Sequence, residues 1–595
     1  MIRDHFRVLK VDLSTGRGRI EEIDGRNTCA GGSGLAALLF GRMGFPDRSW
    51  EDPEQPLIFA MGPLTGYFPL MSKVVCAFKS PYHDQYAESH AGGRSALAMR
   101  FADLDALVIT GKARRPSCLM VGSRQLEVKD VHYLWGKSVR RTGQMLRRMA
   151  GGSGHRSILR IGPAGENRSA MACINVDTYR HFGRLGGGAV MGAKHLKAIV
   201  IVGDESFDLP SGKSYAALFQ HIYGQLTTTS MMDKYHDLGT PVNVAVLNAI
   251  QALPCRNLQR TSDEAISGIT GETFADRTLL RNTACAGCPV GCIHLGFVRE
   301  KFKEPNQYLY RQVTYDHEPI FAMGAMLSVL DAFQVLRLLE IAEKMGLDVM
   351  SAGVALAWAT EAFEKGILSE NETVIPLKFG DAGAYGQALK HLGAGANDFY
   401  RVLGQGTLKA AELYGGADFA CVLGQEMGGY ATGEVFFISQ ALGLRHSHLD
   451  AGGYSYDQKQ NGKDAAQAVA FLVQDEKARV FLTSMVSCLF AREVYKEAVL
   501  ADCLNAVGYR DLAENVDSVA RRVQKMRWQI RIKTGFDPGS VKIPGRFKQV
   551  VTWKGPLDTN YLDSLQKTYA QKIREMAMSE ESGSPGSPRN ESTKL

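Results

Sequence analysis

The stretch TACAGCPVGCIHLG, residues 283–296, sets Cys285, Cys288 and Cys292 two and then three residues apart, with no fourth thiol near them in the chain. Thiolates at this spacing suit a soft metal or an iron–sulfur cluster, and either wants four donors. The fold then has to carry a distant segment onto this short one. Cys488 in LTSMVSCLF and Cys503 in LADCLN are the C-terminal candidates, and spacing alone does not choose between them. Structural zinc usually draws on two separated pairs, although His294 just after Cys292 keeps zinc open. The compact triplet fits one face of a cubane better, and Gly287 and Gly291 let the backbone pass close to it. Unliganded thiols are the third reading. Cys29, Cys76, Cys118, Cys173, Cys255 and Cys421 lie mostly in apolar or strand settings, where a free cysteine acts as a small hydrophobe.

Eleven cysteines, an odd number spread widely, do not form a secreted disulfide framework. The N-terminus MIRDHFRVLKVDLSTG lacks the apolar run of a signal peptide, and no window reads as a membrane span. These features point to a cytoplasmic protein in a reducing compartment. A net charge of +7 over 595 residues is mild and scattered, so nucleic acid is not implied. At most it favours an acidic partner.

A chain of this length holds two to four domains. FRVLKVDL, STGR and GRIEEI read as a hairpin, and the runs PLIFAMG, KVVCAFK, DALVITGK, SILRIG and KAIVIVG as further strands. Beyond about residue 210, Met326–Met345 has helical apolar spacing, with Asp331 in its first turns and Gly346 as C-cap. VALAWATEAFEKG, NDFYRVLGQGTLKAAELYG, DAAQAVAFLVQDEKARVFL and AENVDSVARRVQKMRWQI are also helix-like. The expectation is an α+β chain with four parts. They are a β-rich domain at 1–205, a mainly helical domain with the triplet at 206–415, a second mainly helical domain at 416–575, and a disordered tail at 576–595.

PLTG (63–66), FKSP (78–81), AGGRSALAMRFADLDALVITGKA (91–113), IGPAGEN (161–167) and GRLGGGAVMGAKHLKAIVI (183–201) appear in that order. The triplet, YDHEPIFAMG (315–324), GLDVMSAG (346–353) and SMVSCLF follow. In this order they resemble the aldehyde:ferredoxin oxidoreductase family, whose members carry tungsten or molybdenum on a bis-pterin. The resemblance implies a β-rich first domain that cradles the pterin, followed by two mainly helical domains. It further implies a [4Fe–4S] cluster on Cys285, Cys288, Cys292 and Cys488, since TSMVSC occupies the place of the family's D-x-x-G-L-C motif. Lys73, His90, Gly92, Gly93, Arg184, Gly186, Gly187, Gly188 and Asp348 become pterin or phosphate contacts. Mg bridging the pterin phosphates and a homodimer belong to the same expectations. Asp348 also reads more simply as a loop residue after the helix ending near Gly346.

The chain departs from the family pattern. Thr483 replaces the motif's aspartate, Val486 its glycine, His90 an asparagine, and Lys73 stands where arginine is commoner. The substrate-side histidine does not align cleanly; RHSHLDAGGYSYD (445–457) offers His446 and His448, alternate residues that would share one face of an extended segment. Glu318 falls on the family's carboxylate near the metal, and its simpler reading is a helix N-terminal acid favoured by the dipole. Glu318, His446 and His448 are the catalytic candidates for moving protons.

The resemblance thus implies an enzyme that oxidises an aldehyde to a carboxylic acid, or the reverse, passing electrons to ferredoxin or an iron–sulfur partner subunit. Aromatic acyl-CoA reduction and 2-hydroxyacid oxidation within the same family are alternatives. An electron-transfer subunit that keeps the cluster without the pterin is an alternative of another class, supported by the loss of aspartate at position 483.

Overall fold

The computed structural model describes residues 3–151, 155–303 and 307–579. As far as Gly203 the chain builds two six-stranded mixed sheets. The first has the spatial order β2-β1-β6-β3-β4-β5. Its strands are β1 His5–Asp12, β2 Arg17–Asp24, β3 Leu57–Ala60, β4 Val74–Lys79, β5 Tyr86–Ala91 and β6 Ala106–Thr110. The second has the order β11-β10-β9-β12-β7-β8. Its strands are β7 Ser117–Val121, β8 Leu126–Asp130, β9 His155–Arg160, β10 Ile174–Val176, β11 Arg180–Phe182 and β12 Leu196–Gly203. The β1–β2 hairpin closes at STGR, where the Ser14 N–H and the Thr15 hydroxyl both donate to the Asp12 carboxylate.

The first sheet, apart from the exposed edge strand β2, is buried on both faces. In β1, Leu9 and Val11 pack toward the second sheet, while Phe6 and Val8 face a core shared with C-terminal helices. β3, β4 and β6 divide their side chains in the same alternation. That is why LIFA and VVCAFK read as unbroken apolar runs. β5, β7, β8, β10 and β11 were not among the expected strands.

Helices dominate beyond Gly203. The helix expected over 326–345 starts at Ala332. Asp331 is its N-cap, accepting from the Gln334 N–H at 3.0 Å, and Gly346 closes it at φ 74. NDFYRVLGQGTLKAAELYG is two helices, Asp398–Leu403 and Thr407–Tyr414. The tail expected from residue 576 is helix as far as Met578, and residues 580–595 lie outside the described residues. A three-stranded sheet interrupts the helices: β13 Leu279–Thr283, β14 Ile293–Lys303 and β15 Gln307–Tyr315. Sequence reading missed it, because the charged run VREKFKE hides any alternation in β14. Among the described residues no single helix is long and apolar enough to cross a membrane.

One buried carboxyl in the C-terminal core gives a stability test. Glu476, on the helix Ala465–Ser484, accepts from Gln524 Nε2 at 2.8 Å and Trp528 Nε1 at 3.2 Å, while its Oε1 has no partner. Burial, opposed by the Arg527 charge, pushes its pKa up to about 7. A carboxyl whose folded pKa lies above the unfolded value holds its proton more tightly when folded. Stability therefore falls as pH rises from about 4 to about 7 and is level above that. Glu476→Gln removes the ionisation, so its melting temperature should exceed the parent's at pH 8, with the gap closing as the pH falls to about 4. The gain is bounded by about 3 kcal/mol. Thermal melts across this range check it; a variant that melts lower at pH 8 refutes it.

Candidate active site and cluster chamber

The small sheet delivers both halves of the site to one end. β13 stops at Thr283 and β14 starts at Ile293, and these residues pair, so the triplet is the loop of a β-hairpin. β15 runs antiparallel to β14, with Tyr315 opposite His294. It leads directly into Asp316 and the helix His317–Met323, which carries Glu318 in its first turn. The third segment is 70–73. The Leu70 N–H donates to Gly287 O at 3.0 Å and the Cys488 N–H donates to Leu70 O at 3.0 Å. One residue thus ties the triplet loop to the segment that carries the fourth thiol.

Cys285, Cys288, Cys292 and Cys488 line one chamber of about 390 Å³. Cys503 does not: it is buried in the helix Glu497–Val507 in an apolar core with Leu500, Leu504 and Val507. His294 turns away as well, its Nε2 lying 2.7 Å from Asp237 O. Burial, with the neighbouring thiols Cys488 and Cys285 adding to it, pushes the Cys288 thiol up to about 12. Such thiols stay protonated until a metal takes the proton's place. Gly92 fits tightly against this loop, for a Cβ there would stand 2.7 Å from Cys285 Sγ. Among the described residues no three His, Cys, Asp or Glu side chains converge as on a single ion. The donor set is four soft thiols around a space, which fits a cluster.

Glu318, His448 and Asp316 line the same chamber. Glu318 Oε1 accepts from Tyr430 Oη at 3.1 Å and lies 3.1 Å from His448 Nε2. Burial opposes the Glu318 charge, but the His448 hydrogen bond, with further electrostatic help from the neighbouring histidines, outweighs it and holds the carboxyl at about 2. Asp316, two residues earlier, goes the other way. Burial raises it to about 6, with Arg180 opposing and Glu318 adding to the rise. Neighbouring carboxyls with pKa values pushed apart are the pattern of an acid and a base. His446 is elsewhere. The 445–450 segment is turned rather than extended, and His446 sits at φ 49, so the two histidines diverge. His446 Nδ1 faces Ala441 O at 2.9 Å and its Nε2 faces Arg531 Nη2 at 2.6 Å, away from the chamber.

Four cations face the chamber: Lys73, Arg180, Arg184 and Arg445. Arg184 is anchored by Asp348 at 3.2 Å and by the Glu426 carbonyl at 2.6 Å, leaving its buried Nη1 without a partner. Asp348 does not itself line the chamber. It is the N-cap of the helix Val349–Glu364, accepting from the Met350 and Ser351 N–H groups. His90 lies between Glu88 (3.1 Å) and Arg445 Nη1 (3.1 Å), and Asp450 holds Arg445 Nε at 2.6 Å. Ser33 Oγ donates to Glu88 and lies 3.0 Å from Thr483 Oγ1. The two departures, His90 and Thr483, therefore belong to one buried polar network. Val486 sits at φ 55, a conformation glycine adopts freely and a β-branched residue resists, which accounts for glycine in the family motif at this place. Arg180, Asp316, Glu88, Arg445 and Asp450 were not singled out from the sequence. Asp316 and Arg445 each lie within a quoted motif, YDHEP and RHSHLD.

None of the expected glycines, Gly92, Gly93, Gly186, Gly187 and Gly188, lines the chamber. Gly186 has φ 83, and a Cβ there would strike Pro81 at 2.2 Å; one at Gly188 would meet Cys173 O at 2.5 Å, and one at Gly187 the Phe78 ring at 3.1 Å. They let the short helix Gly187–Ala193 pack closely against Pro81, Phe78 and the Cys173 backbone.

Residues 8–203 match the family described as aldehyde ferredoxin oxidoreductase, N-terminal domain, and residues 217–583 match aldehyde ferredoxin oxidoreductase, domains 2 and 3. The tungsten-containing aldehyde ferredoxin oxidoreductase of Pyrococcus furiosus is 27% identical over 575 residues, 92% of each chain. The enzyme of the same name from Thermococcus kodakarensis is 28% identical over 92% of each. The WOR-like subunit of an aliphatic sulfonate oxidoreductase from Pyrococcus furiosus is 27% identical over 83% of this chain and 80% of its own. A solved active site complex BamBC of benzoyl coenzyme A reductase, in complex with 1,5-dienoyl-CoA, superposes with a TM-score of 0.79 at 19% identity, over 96% of this chain and 95% of that one, a likeness of fold. With both family descriptions matched end to end along the sequence, this chain belongs to the aldehyde ferredoxin oxidoreductase family.

Proposed function

We propose that this oxidoreductase holds a [4Fe–4S] cluster on Cys285, Cys288, Cys292 and Cys488 beside a tungsten (or molybdenum) bis-pterin. It oxidises an aldehyde to a carboxylic acid, or runs the reverse, and exchanges electrons with ferredoxin or a partner subunit. One observation carries the reading: four thiols, an ionised Glu318 hydrogen-bonded to His448, and the cations Lys73, Arg184 and Arg445 line a single chamber. The residues fit the groups. Soft thiols suit iron, and the partnerless Nη1 of Arg184 suits an anionic oxygen.

The bound metal would supply the two-electron chemistry and the cluster a one-electron exit. The chain's own residues bind, orient and move protons. Arg184 and Lys73 hold anionic parts of the pterin, with Asp348 fixing the Arg184 fork. Glu318 takes a proton from water or substrate, and His448 Nε2 shares it. Tyr430 Oη and the packed loops keep the pair in place and limit bulk water. Pro319, Met350, Leu449, Leu489 and Phe490 add apolar surface to the chamber wall, which suits an aromatic or long aliphatic group. That wall favours a second reading, reduction of an aromatic acyl-CoA with electrons flowing inward.

Elemental and cofactor analysis of anaerobically purified protein tests the proposal. Tungsten or molybdenum, pterin and about four irons per chain are expected. Iron without pterin would leave only the electron-transfer alternative, and zinc without iron would end the redox reading. Turnover of an aldehyde panel against aromatic acyl-CoA thioesters separates the two enzymatic readings.

A further inference from the structure

A second concavity, of about 400 Å³, lies on the outer side of the cysteine loop. Arg94, Arg147, Arg156, Arg160, Arg180 and Arg281 line it, with Asp177 as the only acid in its wall. It shares Arg180 with the thiol chamber. The partition between the two is thin. Gly92 abuts Cys285, and Gly93, the next residue, faces the concavity and accepts from the Ala286 N–H at 3.0 Å. Thr283 and Ala284 line the concavity and Cys285 lines the chamber, so on that side too the wall is one residue thick. Neither glycine adds a side chain to it.

The basic character extends past the concavity. The helix Val139–Met149 (VRRTGQMLRRM) has four exposed arginines, Arg140, Arg141, Arg147 and Arg148, and no acid. Arg94, Arg156 and Arg281 are exposed too. Among the described residues none of these seven makes an ion pair; Arg147 and Arg156 donate only to backbone carbonyls. The acids nearby are engaged or recessed. Asp177 accepts from the Arg94 and Ile158 N–H groups, Asp316 faces Arg180, and Glu340 pairs with Arg311 and Lys344. Burial pushes Glu343 up to about 7, against Arg160.

We infer that this arginine face over the Gly92–Gly93 and Ala284–Cys285 wall is the docking surface for an acidic one-electron carrier protein. The inference rests on the proposed cluster. Each encounter moves one electron from the reduced cluster to the oxidised carrier, so a two-electron turnover needs two encounters. Unpaired cations spread beyond the concavity suit a protein surface better than one small anion, because they steer diffusional approach. Their place beside Cys285 brings that approach to the thinnest part of the shell.

The test uses the full chain, purified anaerobically, with its iron content verified. Dithionite-reduced, desalted protein is mixed with oxidised acidic flavodoxin, and the flavin semiquinone is followed by stopped flow. A neutral quinone dye serves as the small-molecule control. The wild-type rate with flavodoxin should fall steeply as ionic strength rises. The Arg94→Glu, Arg147→Glu and Arg281→Glu triple variant should be slower by at least about tenfold at low salt and lose that salt dependence. The corresponding triple replacement by lysine should keep the rate, and the quinone should react alike with all three proteins. A glutamate variant that reduces flavodoxin at the wild-type rate overturns the surface and leaves the cluster reading standing. Protein without a reducible cluster removes both. Calorimetric binding of coenzyme A that the triple variant loses, with flavodoxin rates unchanged, would make the face a small-molecule site and also overturn the inference.

Discussion

Cys488→Ala is expected to lower iron content and abolish or change the paramagnetic signal of the reduced cluster, while Cys503→Ala leaves both intact. The two cysteines are equally distant from the triplet as far as spacing goes, and the fold separates them. The Cys488 N–H is bonded to Leu70 O, and the Leu70 N–H to Gly287 O, so its backbone is fixed one residue away from the triplet loop. Its side chain opens on the chamber. Cys503 points into an apolar core, where burial pushes its thiol far above the usual range and disfavours the thiolate a metal needs. Removing one of four thiolates leaves an iron open to solvent, so loss of most of the iron in air is the expected result. Iron and electron paramagnetic resonance on both variants decide it. Cys503→Ala protein without the signal, beside Cys488→Ala protein with it, would reverse the assignment.

Much of the site was legible because its residues sit in short motifs. The triplet, the FKSP and AGGRS segments and YDHEP need no long-range information to be recognised, and two of these four, the triplet and YDHEP, supply residues to the chamber. What stayed hidden depends on contacts between distant segments. Nothing in the sequence places β13–β15, since β14 is half charged and the pairing of Thr283 with Ile293 leaves the triplet as a mere loop. Yet this sheet carries both the thiols and Glu318 to one end. The glycines were legible as glycines but not by role. Gly92 marks a close approach to a thiol, whereas Gly186 to Gly188 mark close approach to other parts of the protein's own chain. The pair His446 and His448 shows the same limit. Alternate residues share a face only in an extended segment, and a positive φ at His446 turns one toward Arg531 and the other toward Glu318. The departures Thr483 and His90 looked independent in the sequence. They meet through Ser33 and Glu88 in one network.

Glu318→Gln is expected to lower turnover by about 10²–10⁴-fold, the usual cost of removing a general base, while iron, pterin and metal content stay normal. The amide keeps the shape of the side chain and can still accept from Tyr430 Oη, so the loss would be chemical rather than structural. His448→Asn should cost a similar order, and it gives a sharper readout. With His448 present, the Glu318 carboxyl is held at about 2, so it is ionised throughout the working range and contributes no acid limb near neutrality. Burial works to raise that pKa, and the His448 hydrogen bond is the largest of the effects that overcome it. Removing the imidazole leaves burial, so the pKa of Glu318 rises. A base acts only when ionised, above its pKa, so the residual activity of His448→Asn should decline on the acid side at a higher pH than the parent's. His446→Asn lacks this contact and should leave both the rate and the pH profile near those of the parent, with its effect confined to stability through the packing against Arg531. Rate–pH profiles of the three variants on the best substrate found decide the matter. Near-normal turnover in Glu318→Gln would discard this carboxylate as the proton acceptor. An acid limb in His448→Asn that stays in place would separate the histidine from the carboxylate's titration.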